Sequence, residues 1–243
     1  MDISPGASQP SRFRAFAALV HAYTALGAVL AFIGVRAVLR NDERLAFLAM
    51  FAATIVDSTD GVLARLIRVK EVMPDIDGAR IDDIVDYLTF VFLPMLLIER
   101  TGGLPVNLAL PVVALVLVTS AVGFSASDAK TADHFFTGFP SYWNVVVLYL
   151  YVFQTPAILN AVILIVLSAM IFVRVRYIYP SRTPVLRRFT LALGMAWGVS
   201  VGLMIWALPA PPRWLAILSL VFPVYYFVVS FVLHARHQRV RAA

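Results

Sequence analysis

The chain has 243 residues, of which 61% are hydrophobic and 14% are charged, and its formal net charge is +6. Soluble domains average about 45–50% apolar and about 25% charged residues, so this composition is typical of a membrane protein and excludes an ordinary soluble domain. The sequence contains no cysteine, which excludes disulfides and thiolate chemistry. In so apolar a chain, the positive charge indicates contact with anionic lipid headgroups and control of helix orientation, not nucleic-acid binding.

Apolar segments follow one another along the chain after a short polar start. Residues 1–12 contain Pro5 and Pro10 and predict a disordered or interfacial N-terminus. Residues 13–243 predict a single all-α membrane domain, because each helical span needs roughly 20 apolar residues and little length is left over. The hydrophobic pattern predicts about eight transmembrane helices, at residues 14–38, 43–67, 79–99, 104–125, 141–154, 156–174, 189–208 and 214–234.

Lys and Arg residues are divided unevenly between the two sides of these predicted spans. Fifteen of the 20 fall on the side that carries both termini, and five fall on the opposite side. Loops rich in Lys and Arg remain in the cytoplasm. Both termini are therefore expected to be cytoplasmic, which an even number of spans requires.

Seven of the 11 aspartates lie between residues 57 and 86, in the second and third spans and the loop that joins them. Asp57 and Asp60 are three residues apart, and Asp82 and Asp86 are four apart, so each pair shares one face of a helix. The short loop of residues 66–77 predicts an antiparallel helix pair, residues 43–99, in which the two acidic faces meet. The remaining three aspartates of this region are not expected to be ligands, because they lie in the loop or on another helix face: Asp75, Asp77 and Asp83.

These intramembrane carboxylates predict a site for divalent cations. A carboxylate at the bilayer centre costs about 2.5–3.5 kcal/mol, and hard cations favour carboxylate oxygens as ligands. Two alternatives are ion pairs that lock the helices together and an ion or proton pathway through a transporter. The first is disfavoured because the basic residues lie at the rim, and the second because the aspartates cluster at one depth.

The spacing of these residues resembles a known signature. Asp57-x-x-Asp60-Gly61-x-x-Ala64-Arg65, followed by Gly78-x-x-x-Asp82-x-x-x-Asp86, is similar to the motif of the CDP-alcohol phosphotransferases. Twelve residues separate Arg65 from Gly78, a longer gap than the motif usually has. This longer gap resembles bacterial phosphatidylcholine synthases, a branch of that superfamily, and so do three segments of the chain: residues 21–29, 69–94 and 135–144.

The resemblance implies a polytopic enzyme of the bacterial inner membrane that condenses CDP-diacylglycerol with choline, giving phosphatidylcholine and CMP. It implies two divalent ions, Mn or Mg, bound by Asp57, Asp60, Asp82 and Asp86. It also implies that Asp86 is the base for the acceptor hydroxyl and that Asp82 shares the catalytic site. The residues expected to hold the CDP moiety are Thr24, Gly61, Ala64, Arg65 and Gly78. His21 stands where many members of the superfamily have Asn, and a homodimer is expected.

The identity of the acceptor alcohol is predicted from aromatic residues. A quaternary ammonium such as choline is held by aromatic faces through cation–π attraction. The candidates are Tyr87, Tyr142 and Trp143, with Tyr23 and Phe136 as further possibilities. Interfacial Tyr and Trp are also common in membrane proteins for other reasons. Glycerol phosphate, serine and inositol remain alternative acceptors, and a polytopic transporter is the alternative from another class.

Overall fold

The chain is mostly helical in its structure, a computed structural model that describes residues 11–126, 128, 131, 135–180, 183 and 185–242. Residues 1–10, for which disorder is predicted, lie outside the described residues. The first half contains α1 (Ser11–Leu39), α2 (Glu43–Leu66), α3 (Val69–Val72), α4 (Gly78–Asp86), a π-helical segment (Tyr87–Phe92), α5 (Leu93–Arg100) and α6 (Ala109–Phe124). The second half contains β1 (Phe135–Thr137), α7 (Trp143–Val152), α8 (Ala157–Met170), β2 (Arg176–Ile178), α9 (Arg187–Trp206), α10 (Arg213–Ser219) and α11 (Val221–Ala242).

Several of these helices have the length and polarity of membrane helices. Four are long and apolar enough to cross a bilayer, over Arg12–Leu39, Glu43–Leu66, Arg187–Trp206 and Arg213–Arg239. Three further apolar helices, α6, α7 and α8, are shorter, at 10–17 residues. Large apolar side chains on the outside, such as Leu110 (75% exposed) and Trp206 (71% exposed), suit a lipid-facing surface. These features support an integral membrane protein.

Helix α1 lies directly against the helical run that carries Asp82 and Asp86, because two of its residues have no side chain. A Cβ atom at Gly27 would lie 2.1 Å from Val85 Cγ1, and one at Gly34 would lie 2.3 Å from Leu93 Cδ2. Neither distance is possible for a real side chain. The two glycines therefore set how closely α1 approaches α4 and α5.

The helical run from α4 to α5 is interrupted by its π-helical turns, which begin at the residue after Asp86. Pro94 follows at the start of α5 and has no N–H to donate to the preceding turn. Wider π turns inside α-helices are frequent at functional sites. The predicted third span is therefore helical throughout, but its helical geometry changes where the last aspartate of the motif lies.

A two-stranded sheet corrects the all-α prediction. β1 pairs antiparallel with β2, and Phe136 lies directly opposite Tyr177. Each strand is a short extended segment between helices, and both are rich in the aromatic residues that favour strands. The N–H of Ile178 donates to the hydroxyl of Ser230 at 3.0 Å, so α11 holds β2 in place.

Candidate active site

The two helices that carry the aspartates, α2 and α4, each begin at an aspartate that caps the first turn. The Asp42 carboxylate accepts the N–H of Leu45 at 3.0 Å and starts α2. The Asp77 carboxylate accepts the N–H of Ala79 at 3.1 Å and starts α4 at Gly78. Side-chain acceptors of this kind satisfy the free N–H groups of a first turn. Asp77, which was not expected to be a ligand, is thus the N-cap that sets the register of α4.

Three of the four motif aspartates come together. Carboxylate oxygens of Asp57, Asp82 and Asp86 all lie within 4.8 Å of one another, and the three residues are half-buried. Oxygens on opposite sides of a divalent cation lie about 4.2 Å apart for Mg²⁺ and about 5 Å apart for Ca²⁺. The donor set and its spacing therefore fit a hard divalent cation. The predicted antiparallel meeting of the two acidic faces is observed for these three residues.

The fourth motif aspartate, Asp60, has a different environment. It is only 7% exposed, and its carboxylate accepts the hydroxyl of Thr24 on α1 at 2.8 Å. It is not part of the three-carboxylate cluster. Hydrogen bonds to a charged acceptor are stronger than neutral ones. Thr24, which was expected near the CDP moiety, therefore connects α1 to the motif helix through Asp60.

The other residues expected to hold the CDP moiety lie at the end of α2 and the start of α4. A Cβ atom at Gly78 would lie 2.9 Å from Cε1 of His21, so that imidazole packs against the glycine backbone. A Cβ atom at Gly61 would lie 3.2 Å from the Arg65 guanidinium, which is exposed. Ala64 packs against a small apolar cluster between α1 and α3. The cleft that contains the three clustered carboxylates is lined by none of these four CDP candidates: Gly61, Ala64, Arg65 and Gly78.

A cleft of about 140 Å³ opens beside the carboxylate cluster. Its lining includes four aspartates, called the acidic wall: Asp57, Asp82, Asp83 and Asp86. It also includes three aromatic residues from the β1–β2 region and the start of α7, called the aromatic wall: Phe136, Tyr142 and Tyr179. Other lining residues are apolar or small: Phe90, Gly123, Phe124, Thr137, Phe139, Pro140, Ser141 and Ile171. Among the described residues that line this cleft there is no Lys or Arg.

The aromatic wall belongs to a larger group of packed rings. Phe136 and Tyr179 stack with their centroids 4.6 Å apart and their planes at 26°. Behind them, Tyr177 stacks on Tyr226 at 6.0 Å, and Tyr226 meets Tyr142 edge-on at 6.2 Å. Burial raises the pKa of the Tyr177 hydroxyl to about 12, so this ring stays neutral at physiological pH. The wall is therefore held by apolar and aromatic packing on β2 and α11.

Only one of the three aromatic residues predicted to contact choline lines the cleft, namely Tyr142. Tyr87 instead donates its hydroxyl to the carbonyl of Leu117 at 2.9 Å. Trp143 is fully buried, and its indole N–H donates to the hydroxyl of Ser120 at 2.8 Å. Tyr87 and Trp143 thus link their helices to α6, and neither is among the described residues that line the cleft.

Two further residues line the cleft: Asp83, which was considered only as a counter-charge for choline, and Tyr179, which the sequence analysis missed. Asp83 was placed on another helix face, yet it lines the cleft with the three clustered aspartates. Tyr179 lies just beyond β2, in a segment whose arginines drew attention to topology. Two tyrosines in an otherwise basic loop, Tyr177 and Tyr179, were the available signal. Only Tyr179 lines the cleft, because Tyr177 is fully buried and stacks on Tyr226 of α11.

The chain is similar to bacterial proteins named phosphatidylcholine synthase. It is 44% identical to that of Legionella pneumophila over 164 residues, covering 67% of this chain and 64% of the relative. It is 37% identical to the Pseudomonas aeruginosa protein over 191 residues, covering 79% of this chain and 80% of the relative. It is 32% identical to the Rhizobium johnstonii protein over 223 residues, covering 92% of this chain and 91% of the relative.

These similarities differ in extent. The chain spans less than two thirds of the length of two Legionella relatives, 64% for Legionella pneumophila and 62% for Legionella bozemanae. The rhizobial match, by contrast, extends over most of both chains. No family model matches the chain.

Proposed function

Because the chain belongs to the phosphatidylcholine synthase family, we propose that it transfers the phosphatidyl group of CDP-diacylglycerol to choline, releasing CMP. The observation that carries the proposal is the composition of the cleft. Four carboxylates and six aromatic rings line it, and no basic residue is found among the described lining residues. A cationic acceptor suits such a cleft, whereas a phosphorylated acceptor would need Lys or Arg near the reacting hydroxyl.

The acidic wall would hold the divalent ions. Asp57, Asp82 and Asp86 are the proposed ligands of a first ion, and Asp60 is proposed as a ligand of a second after its bond to Thr24 rearranges. Mn and Mg are the proposed metals, because both favour carboxylate oxygens. When bound, such ions act as Lewis acids on the pyrophosphate oxygens.

The transfer itself exchanges one phosphorus–oxygen bond for another. The choline hydroxyl oxygen attacks the phosphorus that bears the diacylglycerol, and the bond from that phosphorus to the CMP oxygen breaks. Asp86 is proposed to take the hydroxyl proton, and CMP leaves with the electron pair of the broken bond. A positioned base of this kind contributes about 10²–10⁴-fold to a rate. Asp82, whose carboxylate lies within 4.8 Å of that of Asp86, is proposed to share the catalytic site.

The CDP moiety is proposed to lie beside the acidic wall, along the side that faces α1. Gly61, Ala64 and Gly78 are small and only partly buried, so a ligand can approach α2 and α4 there once the side chain that packs on Gly78, that of His21, shifts away. The exposed guanidinium of Arg65 can pair with a phosphate. Thr24 contributes through its bond to Asp60. The longer loop between Arg65 and Gly78 contains α3, which packs under Ala64.

The membrane arrangement is part of the proposal. We propose about eight spans with both termini in the cytoplasm of a bacterial cell, a single membrane domain from residue 13 onward, and residence in the inner membrane. The short helices α6, α7 and α8 would need a locally thinner bilayer or surrounding protein, since 10–17 residues span less than about 30 Å. A homodimer is proposed on the family resemblance.

The test supplies detergent-purified protein with CDP-diacylglycerol and one alcohol at a time, with Mn²⁺, with Mg²⁺ or with a chelator. We expect phosphatidylcholine and stoichiometric CMP with choline, and no product with the chelator. Glycerol phosphate, serine and inositol serve as the competing acceptors. If one of these alcohols gives a lipid product and choline gives none, that alcohol replaces choline as the proposed acceptor. Absence of any metal-dependent CMP release would reject the transferase and leave the transporter alternative.

A further inference from the structure

We propose that Phe136, Tyr142 and Tyr179, the aromatic wall of the cleft, form the binding site for the quaternary ammonium of choline. This inference rests on the proposed function and adds the residues that select the acceptor. It assigns selectivity to the β1–β2 sheet, which contributes Phe136 and leads directly into Tyr179.

The position of the wall is the first argument. All three rings line the same cleft as the clustered carboxylates of Asp57 and Asp86. A bound acceptor can therefore place its ammonium group against the rings while its hydroxyl points to the carboxylate cluster. Since the cleft is only about 140 Å³, compared with roughly 300–1,000 Å³ for sites of drug-sized ligands, it suits a small acceptor.

The charge of the cleft is the second argument. Asp83 lines it in addition to the three aspartates whose oxygens cluster. The described lining thus contains four carboxylates and no Lys or Arg that would repel a cation. A trimethylammonium group cannot donate hydrogen bonds, so ring faces and a diffuse negative field are the groups that recognise it.

The rigidity of the wall is the third argument. Phe136 and Tyr179 stack at 4.6 Å, which fixes the orientation of each ring. β2 is held to α11 by the bond from Ile178 to Ser230 and by the stacking of Tyr177 on Tyr226. Preorganised rings lose little conformational freedom on binding, so more of their attraction appears as affinity.

The experiment replaces rings while measuring both substrates separately. Phe136→Leu and Tyr179→Leu remove a ring, whereas Phe136→Tyr and Tyr179→Phe keep one. Phe16→Leu is the matched control, because Phe16 lies on α1 with 54% of its surface exposed. Steady-state KM values are determined for choline and for CDP-diacylglycerol. The neutral choline isostere 3,3-dimethylbutanol, in which a tert-butyl group replaces the trimethylammonium, reports the charge-dependent part of recognition.

We expect each leucine variant to raise the choline KM by about 5- to 30-fold, the range that corresponds to a cation–π contact of about 1–2 kcal/mol. The KM for CDP-diacylglycerol should stay within about twofold in both leucine variants, and so should both KM values of the control Phe16→Leu. Each ring-retaining variant should raise the choline KM less than the leucine variant at the same position. Discrimination between choline and 3,3-dimethylbutanol should shrink by the same factor as choline affinity, which a merely structural role of the rings would not produce.

Three outcomes would overturn the inference. One is an unchanged choline KM in both leucine variants, and another is an equal loss for choline and its neutral isostere. The third is a rise in the KM for CDP-diacylglycerol alone, which would assign the rings to cytosine stacking. If size-exclusion chromatography shows that a leucine variant is misfolded, Phe136→Trp is used in its place. Because Trp has a larger ring face, the ratio of choline use to isostere use should stay the same or rise in this variant, and a fall would contradict the inference. Failure of the unmodified protein to use choline rejects the proposed function instead.

Discussion

The acidic wall and the aromatic wall of the cleft differ in how their residues are brought together. Asp57, Asp82 and Asp86 come from two helices joined by a loop of fewer than 15 residues. Phe136 and Tyr179 come from segments separated by helices α7 and α8. The first wall follows from helical periodicity and a short connection, whereas the second depends on a pairing of strands distant in sequence. The proposed metal ligands are thus placed locally, and the proposed acceptor contacts are placed by tertiary structure.

The largest expected losses of activity come from substitutions in the acidic wall. Asp86→Asn should lower kcat by about 10²–10⁴-fold, because the proposed base is lost. Asp57→Asn should lower turnover to a similar degree by weakening Mn²⁺ binding, which titration calorimetry or electron paramagnetic resonance measures directly. In both variants the residual activity should keep its choline KM, since the aromatic wall is intact.

Asp75→Asn is the matched control for these two variants. The Asp75 carboxylate is 78% exposed and pairs with Arg14 at 3.7 Å. Exposed pairs of this kind contribute little to stability, so activity should stay within about twofold. Near-normal turnover of Asp86→Asn beside an inactive Asp57→Asn would reject the role of Asp86 as base while keeping the metal site.

The aromatic wall can be disturbed without touching any ring or carboxylate. Gly138 follows β1 with a φ of +79°, and a Cβ atom there would lie 2.0 Å from the carbonyl oxygen of Ile171. Gly138→Ala must therefore displace β1, with strain on the order of 1–3 kcal/mol. We expect the choline KM to rise about tenfold while Mn²⁺ affinity is unchanged.

Gly198→Ala is the control for that change, because among the described residues no atom outside its own stretch of α9 lies within 4 Å of the position of its Cβ. It should leave both substrates unaffected. Equal loss of Mn²⁺ affinity and choline use in Gly138→Ala would mean that the two walls form one unit, contrary to the comparison.

Much of the fold was predictable because the relevant forces are local. The apolar segments are long, and each predicted span is helical in the structure. The meeting of Asp57 with Asp82 and Asp86 followed from their spacing and a short loop. The separate environment of Asp60 was not predictable, because it depends on Thr24 of a different helix. The number of membrane crossings and the orientation of the chain stay predictions.

The acceptor side was predicted less well for a physical reason. Tyr142 and Trp143 are adjacent in sequence, but on a helix start they point in different directions, and only Tyr142 lines the cleft. Tyr87 is adjacent to Asp86, but its hydroxyl reaches the backbone of α6. Closeness in sequence to the motif was therefore a poor guide to the cleft, whereas pairing of β1 with β2 determines which rings reach it.

The smallest predicted effect is that of Trp143→Phe, which separates a structural role of Trp143 from contact with the acceptor. Trp143→Phe removes the hydrogen bond to Ser120, a neutral contact of about 1 kcal/mol, and should lower the melting temperature in detergent by about 2–4 °C. The choline KM should stay within about twofold. Ser120→Ala should produce the same shift, since it removes the other partner. A tenfold rise in choline KM with unchanged melting would return Trp143 to the acceptor site.

The anchoring of β2 by α11 has a consequence for how the protein is made. The ribosome completes Ser230 after every residue that lines the cleft, and Ser230 accepts the N–H that holds Ile178. During synthesis the carboxylates can assemble as soon as α4 has inserted beside α2. The aromatic side is completed only when α11 arrives. On the proposed roles of the two walls, the metal ligands of a nascent chain come together before its acceptor-binding rings do.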